Sequence, residues 1–358
     1  MQIGLVGMPA SGKTTLFNLL TASEYSTGIG GTDEVHVGSA VVHDHRVDYL
    51  KSLYKPKKTT SARIDFKDIP GVKMEDSRAR ASRLLDEVRS SDALVQVVRA
   101  FNNAEVNSLS GNCEPYREIT DYSAELILAD IDSLEKRIDR LESGSKKQKD
   151  DSRQLALLNK LLRTLENEES TGNCKLTEEE KELLAGQQLL SEKPLFLLIN
   201  IDEEQMRSGN YPDKERIIAY AEDKKLPVIE VCALLEMEIN RLQPDERSEF
   251  LDDLGLKESG LDLLSQITYK SLNLSSFFTV GEDEVRAWRI KKGTAARKAA
   301  GKIHSDIERG FIRAEVFHYD SLEKLGSVAK VREAGQFRLE GKEYEVLDGD
   351  IISFRFNV

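Results

Sequence analysis

Gly7-Met8-Pro9-Ala10-Ser11-Gly12-Lys13-Thr14, a stretch close to the amino end, decides the fold. It spells GxxxxGK[ST], with the apolar run Ile3–Val6 before it and a helical pattern, Lys13–Thr21, after it. Strand, glycine turn and helix in that order build an anion cradle. Gly7 and Gly12 let the backbone curl until successive N–H groups point inward. The helix entered at Lys13 adds the positive end of its dipole. In such a cradle a lysine, here Lys13, reaches the β and γ phosphates, and a hydroxyl, here Thr14, ligates Mg²⁺. Ala10, Ser11 and Thr15 complete the expected nucleotide-binding lining. A turn that only joined strand to helix would not need the Lys-Thr pair.

Two further motifs lie outward from this loop. Asp68-Ile69-Pro70-Gly71 follows the alternating apolar residues Ile64 and Phe66. A carboxylate at a strand end opposite the loop can hold Mg²⁺, and the Gly71 N–H can meet the γ-phosphate. Asn200-Ile201-Asp202-Glu203 follows the apolar run Leu195–Ile199. A GTPase carries NKxD there, its Asp accepting from two guanine donors. Here Glu203 is one methylene longer and Ile201 replaces the lysine that covers the base, so a guanine clamp loses its rationale while guanine stays open as a ligand.

Ala93–Val98 and Val228–Val231 add two more apolar runs, and strands alternating with helices imply a parallel sheet covered on both faces. The interval between Val98 and Leu195 is too long for a crossover. Within it Ile127, Ile131, Leu134, Ile138 and Leu141, then Leu155, Leu158, Leu162 and Leu165, recur at three and four residues. Two such seams about the polar segment Gly144–Asp151 predict an antiparallel coiled-coil hairpin, and Thr177 with Glu180 predicts a capping box opening a third helix. The last eighty or so residues turn to strands at Val285–Ile290 and Phe311–Phe317, a helix over Ala295–Arg309, and a hairpin about Asp348-Gly349-Asp350. The expected domains are 1–118 with 190–277, 119–189, and 278–358.

Composition sets the outer bounds. The chain has 358 residues, 39% of them hydrophobic and 32% charged, ordinary for a soluble protein with a core. No apolar run reaches the roughly 20 residues of a membrane span, and the amino end lacks a basic n-region, so neither membrane nor signal peptide is expected. Three cysteines, Cys113, Cys174 and Cys232, give no disulfide framework and fit a reducing, cytoplasmic setting. The net charge of −12 argues against wholesale nucleic-acid coating. Yet Arg286, Arg289, Lys291, Lys292, Arg297, Lys298 and Lys302 fall between Val285 and Ser305 with no acidic residue among them, a local face for polyanions. His36, His43 and His45 have no partners at metal-ligand spacing and are expected at the surface; Trp288 is expected in or beside a core.

In motif order and in its closing segments the chain resembles the Obg-like ATPases, the YchF family of TRAFAC-type P-loop proteins. Those segments are Glu284–Trp288, Ala299–His304, Glu308–Ala314 and Asp348–Asp350, which look like that family's TGS domain, a β-grasp fold. The resemblance spans essentially the whole chain. It implies a Ras-like P-loop domain with a helical insertion, ATP preferred over GTP, slow hydrolysis with Mg²⁺, and association with ribosomes. Ribosomal RNA would be met through the TGS-like domain and coiled coil by phosphate contacts, without base readout of DNA, and K⁺ enters as an activator to test. Carried over by position, the switch threonine falls on Thr32, a metal ligand with Thr14 and Asp68. The base side falls on Asn200 and Glu203, with Cys232, Ala233 and Leu234 beneath the purine.

Departures mark a divergent member. Val72 stands where Ras-like enzymes keep a catalytic Gln, and a hydrocarbon cannot orient water; beside Lys13 and Gly71 it makes the expected catalytic set one of slow turnover. Asp33-Glu34-Val35-His36 follows Thr32 where the family has Ile-Glu-Pro-Asn. Lys73–Ala81 is charged and nearly free of glycine, and the family's loop asparagine is Ala10. An Obg-type GTPase, or a nucleotide-sensing scaffold without turnover, are the competing readings.

Overall fold

The computed structural model describes all residues except 28–33, 72–77, 144–150, 168–170, 172–173, 175, 185–186 and 358. Thr32 and Val72 lie outside the described residues. The chain divides into two compact units. The first comprises Met1–Leu19, Ser23–Gly38 and Phe66–Gln243, and the second Leu20–Ala22, Ser39–Asp65 and Pro244–Val358.

The elements up to Asp68 are β1 (Gln2–Val6), α1 (Lys13–Thr21), β2 (His36–Val41), α2 (His45–Tyr54), β3 (Lys58–Thr60) and β4 (Arg63–Asp68). There follow α3 (Arg78–Ser90), β5 (Ala93–Arg99), α4 (Ala104–Ser110), α5 (Pro115–Ser143), α6 (Asp151–Glu166) and α7 (Glu178–Leu183). The first unit closes with β6 (Leu195–Asn200), α8 (Glu203–Ser208), α9 (Lys214–Lys224), β7 (Val228–Val231) and α10 (Ala233–Ile239).

One sheet runs β2-β4-β1-β5-β6-β7, with β1, β5, β6 and β7 paired in parallel. All seven residues of β5 are buried, as a strand covered on both faces requires. From β1 the chain builds outward on one side to β4 and on the other through β5 to β7. The point where the order reverses lies beside β1, the strand that feeds the glycine loop, and ligands of open α/β sheets sit at such a point.

Helices α5 and α6 leave the sheet between β5 and β6 and pack on each other. Every residue of the two expected seams lies in one cluster around the buried Leu134, Ile138, Leu158, Leu161 and Leu165. Asp130, fully buried on α5, accepts hydrogen bonds from the N–H groups of Leu190 and Ser191 at 2.8 Å and from the Ser191 hydroxyl at 2.7 Å. It ties the insert to the segment that leads back into β6. Thr177 caps α7 with the reciprocal Glu180 bond its spacing predicts.

The second unit adds α11 (Pro244–Asp253), α12 (Gly260–Ser271), β8 (Leu274–Thr279), β9 (Glu284–Lys291), α13 (Ala296–Ile303), α14 (Ser305–Arg309) and β10 (Phe311–His318). It ends with α15 (Tyr319–Leu325), α16 (Val328–Glu333), β11 (Arg338–Glu340) and β12 (Asp350–Phe356). Its sheet runs β11-β10-β12-β8-β9-β3 around a core of Phe277, Ile290, Phe311, Val316 and Ile352. Trp288 stacks on Phe277 at that core, as expected.

Three expectations need correction here. Asp348-Gly349-Asp350 does not join two hairpin strands, because residues 344–347 form no strand and β12 pairs instead with β10 and β8. The Asp348 carboxylate accepts from the Ser276 N–H at 2.7 Å and from Arg46, and Asp350 Oδ2 accepts from the Tyr344 hydroxyl and the Leu347 N–H, which fixes the loop as an entry to β12. His36 is buried, not a surface residue, with its ring stacked 3.8 Å from Tyr25. Residues 39–65 group with the C-terminal sheet rather than with the phosphate loop, because β3 pairs in parallel with β9. No helix among the described residues is long and apolar enough to cross a membrane.

Candidate nucleotide site

The carboxyl ends of the strands converge on the glycine loop. β1 ends at Val6, just before Gly7, β4 at Asp68, β5 at Arg99, β6 at Asn200 and β7 just before Cys232. Gly7 has φ +133°, and a Cβ there would lie 2.3 Å from the Val97 carbonyl oxygen. Gly12 has φ +96°, and a Cβ would meet the Asn200 amide nitrogen at 2.4 Å. Neither position admits a side chain, so the motif's glycines are steric requirements of this loop. Ala10 also sits in the left-handed region, at φ 61°, where asparagine is enriched among non-glycine residues. Gly71 lies hard against the loop, where a Cβ would approach the Gly7 carbonyl to 2.8 Å.

Lys13 is buried, and its ammonium donates to the carbonyls of Gly7 at 2.9 Å and Met8 at 2.8 Å. The lysine is thus folded across its own loop. Burial lowers it from the ordinary lysine value to about 8, while the charges of Asp68 and Glu118 pull it partly back. The Thr14 hydroxyl donates to Asp68 Oδ2 at 2.7 Å, and Asp68 Oδ1 is buried with no hydrogen-bond partner. Two hard oxygen groups side by side, one carboxylate oxygen unspent, suit a small divalent cation. Mg²⁺ prefers one or two such protein ligands plus phosphate and water over a full protein cage.

Asn200 joins the remaining pieces. Its amide nitrogen donates to the Ser11 carbonyl at 3.0 Å, and its oxygen accepts from the Ala233 N–H at 3.2 Å. The segment after β7 is thereby fastened to the phosphate loop. Cys232 is buried there, whereas Leu234 is an exposed large apolar residue, 63% accessible. Glu203 is the first residue of α8, paired with Arg207 at 3.4 Å, while Asp202 caps that helix reciprocally with Gln205. The Asp-x-x-Gln spacing could have announced that cap.

Glu118 escaped notice in the sequence. It lies in the first turn of α5, its carboxylate accepting a long 3.4 Å bond from the Arg99 N–H. Burial pushes its carboxyl up to about 7, against the N–H and charge of Arg99 and the charge of Lys13. Nothing near it in the chain signals a role, since its neighbours in space lie some nineteen and more than a hundred residues away.

A strand, a curled loop holding a buried lysine, and a helix hydroxyl paired to a carboxylate at a second strand end define a P-loop nucleoside triphosphatase. A family profile described as a 50S ribosome-binding GTPase matches residues 2–201, and the YchF-GTPase C-terminal profile, described as a protein of unknown function, matches residues 274–357. The "Ribosome-binding ATPase YchF" of Bacillus subtilis is 42% identical, with all of both chains covered, and that of Escherichia coli O157:H7 is 38% identical over all of this chain and 99% of its own. The chain belongs to the YchF family. The solved structure of the Schizosaccharomyces pombe YchF GTPase covers 99% of this chain and 97% of its own at a TM-score of 0.86 and 29% identity. A Pyrococcus horikoshii GTP-binding protein, at 18% identity and a TM-score of 0.59 with both chains fully covered, shares the fold.

Proposed function

We propose that this chain is a ribosome-associated, ATP-preferring nucleotide switch with slow hydrolysis. The observation that carries the reading is the folded-in Lys13 ammonium beside the Thr14–Asp68 pair with its unspent carboxylate oxygen. On binding, Lys13 exchanges two loop carbonyls for phosphate oxygens, and the loop N–H groups between Gly7 and Thr15 surround the anion. Mg²⁺, held by Thr14 and Asp68 with Thr32 as the expected third ligand, would neutralise charge on the phosphates. Gly71 offers its N–H at the loop edge. Val72 cannot orient water, so unassisted turnover is slow, and K⁺ or the ribosome supplies what the side chain does not.

Selection of adenine rests on Glu203 and Ile201 in place of Asp and Lys, with Glu203 engaged by Arg207. Asn200 positions the segment Cys232-Ala233-Leu234 for the base, and Leu234 offers an apolar surface to the purine. The helical pair acts as a coiled-coil arm, and the C-terminal unit, as a TGS domain, meets ribosomal RNA phosphates in the cytoplasm. The relatives' names, ATPase in bacteria and GTPase in yeast, make nucleotide choice the first thing to measure. Parallel calorimetric titrations of ATP and GTP with Mg²⁺ should show ATP binding more tightly; equal or tighter GTP binding removes the ATP preference. Single-turnover hydrolysis with and without ribosomes and K⁺ should show stimulation, and no phosphate release under any condition leaves a scaffold.

A further inference from the structure

We propose that helix α3 carries the nucleotide state of the Asp68 motif into the base of the helical arm formed by α5 and α6. The inference rests on the switch reading above and names where the switch is read out. Every residue it uses lies in the first compact unit.

Successive residues of a strand face opposite sides, and the last two of β4 divide their contacts accordingly. Asp68 holds the Thr14 hydroxyl at the phosphate loop. Lys67 is buried and donates to Glu87 at 2.9 Å and to the Ser90 hydroxyl at 2.8 Å, both in the last turn of α3. A shift of the strand end at Asp68 therefore reaches α3 through the neighbouring residue, with no loop between them. Ile69, the next residue of the motif, makes a second tie. It lies in one buried cluster with Val6, the residue before Gly7, with Leu84 and Val88 of α3, and with Leu126 of α5.

From α3 the contacts continue to α5. Arg89 donates to the Ala129 carbonyl at 3.3 Å and to the Ser133 hydroxyl at 3.4 Å. On the same stretch of α5, Asp130 holds the N–H groups of Leu190 and Ser191. The base of the arm is thus gripped by α3 on one side and by the segment that leads into β6 on the other. Beyond Ser133, α5 continues ten residues, about 15 Å, to Ser143, and α6 packs along it. Close-packed interiors are stiff, so a displacement of α3 is passed on instead of being absorbed. The Arg89 bonds are long for hydrogen bonds, which makes them the ones that tighten or part when α3 moves. Coupling of this kind is reciprocal: whatever binds the arm in one nucleotide state shifts nucleotide affinity by the same factor.

Hydrogen exchange on the full-length protein tests the route, with and without ATP and Mg²⁺, following peptides from the phosphate loop and from residues 134–143 of α5. In the wild type both should respond, α5 by about fivefold or more, the lower end of ordinary coupling between sites. Lys67→Met and Arg89→Ala, each compared with its own nucleotide-free state, should keep the loop response and lose most of that in α5. Arg89 is only half-buried, so its variant, verified as folded by its thermal midpoint, decides the test if Lys67→Met does not fold. A protected phosphate loop with an unchanged α5 in the wild type overturns the proposal and leaves the nucleotide site standing. An α5 response undiminished in Arg89→Ala overturns the route. If neither segment responds, the nucleotide-site reading fails and the proposal falls with it.

Discussion

Lys13 is held in a state that nucleotide must undo. Its ammonium is satisfied by two carbonyls of its own loop, and burial has already brought it down to about 8. A bound phosphate raises that value again, so between the free and bound values binding takes up a proton and affinity falls as pH rises. ATP affinity should therefore decline above about pH 8. Calorimetry at that pH in buffers of different ionisation enthalpy should register net proton uptake; a binding enthalpy independent of buffer contradicts this. Glu118 runs the other way. With its folded value raised to about 7, the native state binds more protons than the unfolded chain between the two values. Stability present at low pH is then lost as pH climbs from about 4.5 to 7, up to about 3 kcal/mol. Glu118→Gln should remove this slope, seen as a gap between the two thermal midpoints that changes from pH 5 to about pH 8; parallel curves would show that the carboxyl is not buried as described.

The elements fall into those whose cause is local and those whose cause is distant. β1, the glycine loop and α1 were legible because strand, motif and helix lie within about twenty residues, as were the seams of α5 and α6 and the cap of α7. β3 was not: its partner β9 lies more than two hundred residues on, and Lys58-Thr59-Thr60 carries no apolar alternation to advertise a strand. The turn expected at Asp348-Gly349-Asp350 failed for the same reason, since its carboxylates serve Ser276 and Tyr344 instead of closing a hairpin. Asn200 was expected from its motif as a base-side residue, and its bonds to Ser11 and Ala233 needed three dimensions. Asp130 is the point on α5 where a single change should tell. Asp130→Ala strands the buried Leu190 N–H and the half-buried Ser191 N–H and should cost about 3 kcal/mol, read as a lowered urea midpoint. A loss under about 0.5 kcal/mol would mean that the insert is not anchored there.

For the whole molecule, the proposed ribosome association would have an acidic chain meet an anionic partner through a local exception. Of the basic residues around β9 and α13, Arg286 stacks on Trp288, Arg289 is engaged with β4, and Lys298 pairs with Glu308. Lys291, Lys292 and Lys302 are exposed, and they are the expected phosphate contacts. Lys291→Glu with Lys292→Glu should weaken ribosome association and lower its log–log salt slope by about 2. Pelleting with ribosomes across a salt series checks this, and an unchanged slope places the contact elsewhere.

The proposed switch rests on the loop after β1 being where triphosphate binds. Titration of Mg²⁺ and ATP into the wild type and Lys13→Ala by calorimetry addresses that directly. The variant should bind about 100-fold more weakly or not measurably, as expected when one partner of a buried charge pair is removed. Equal affinity in both proteins would contradict the account.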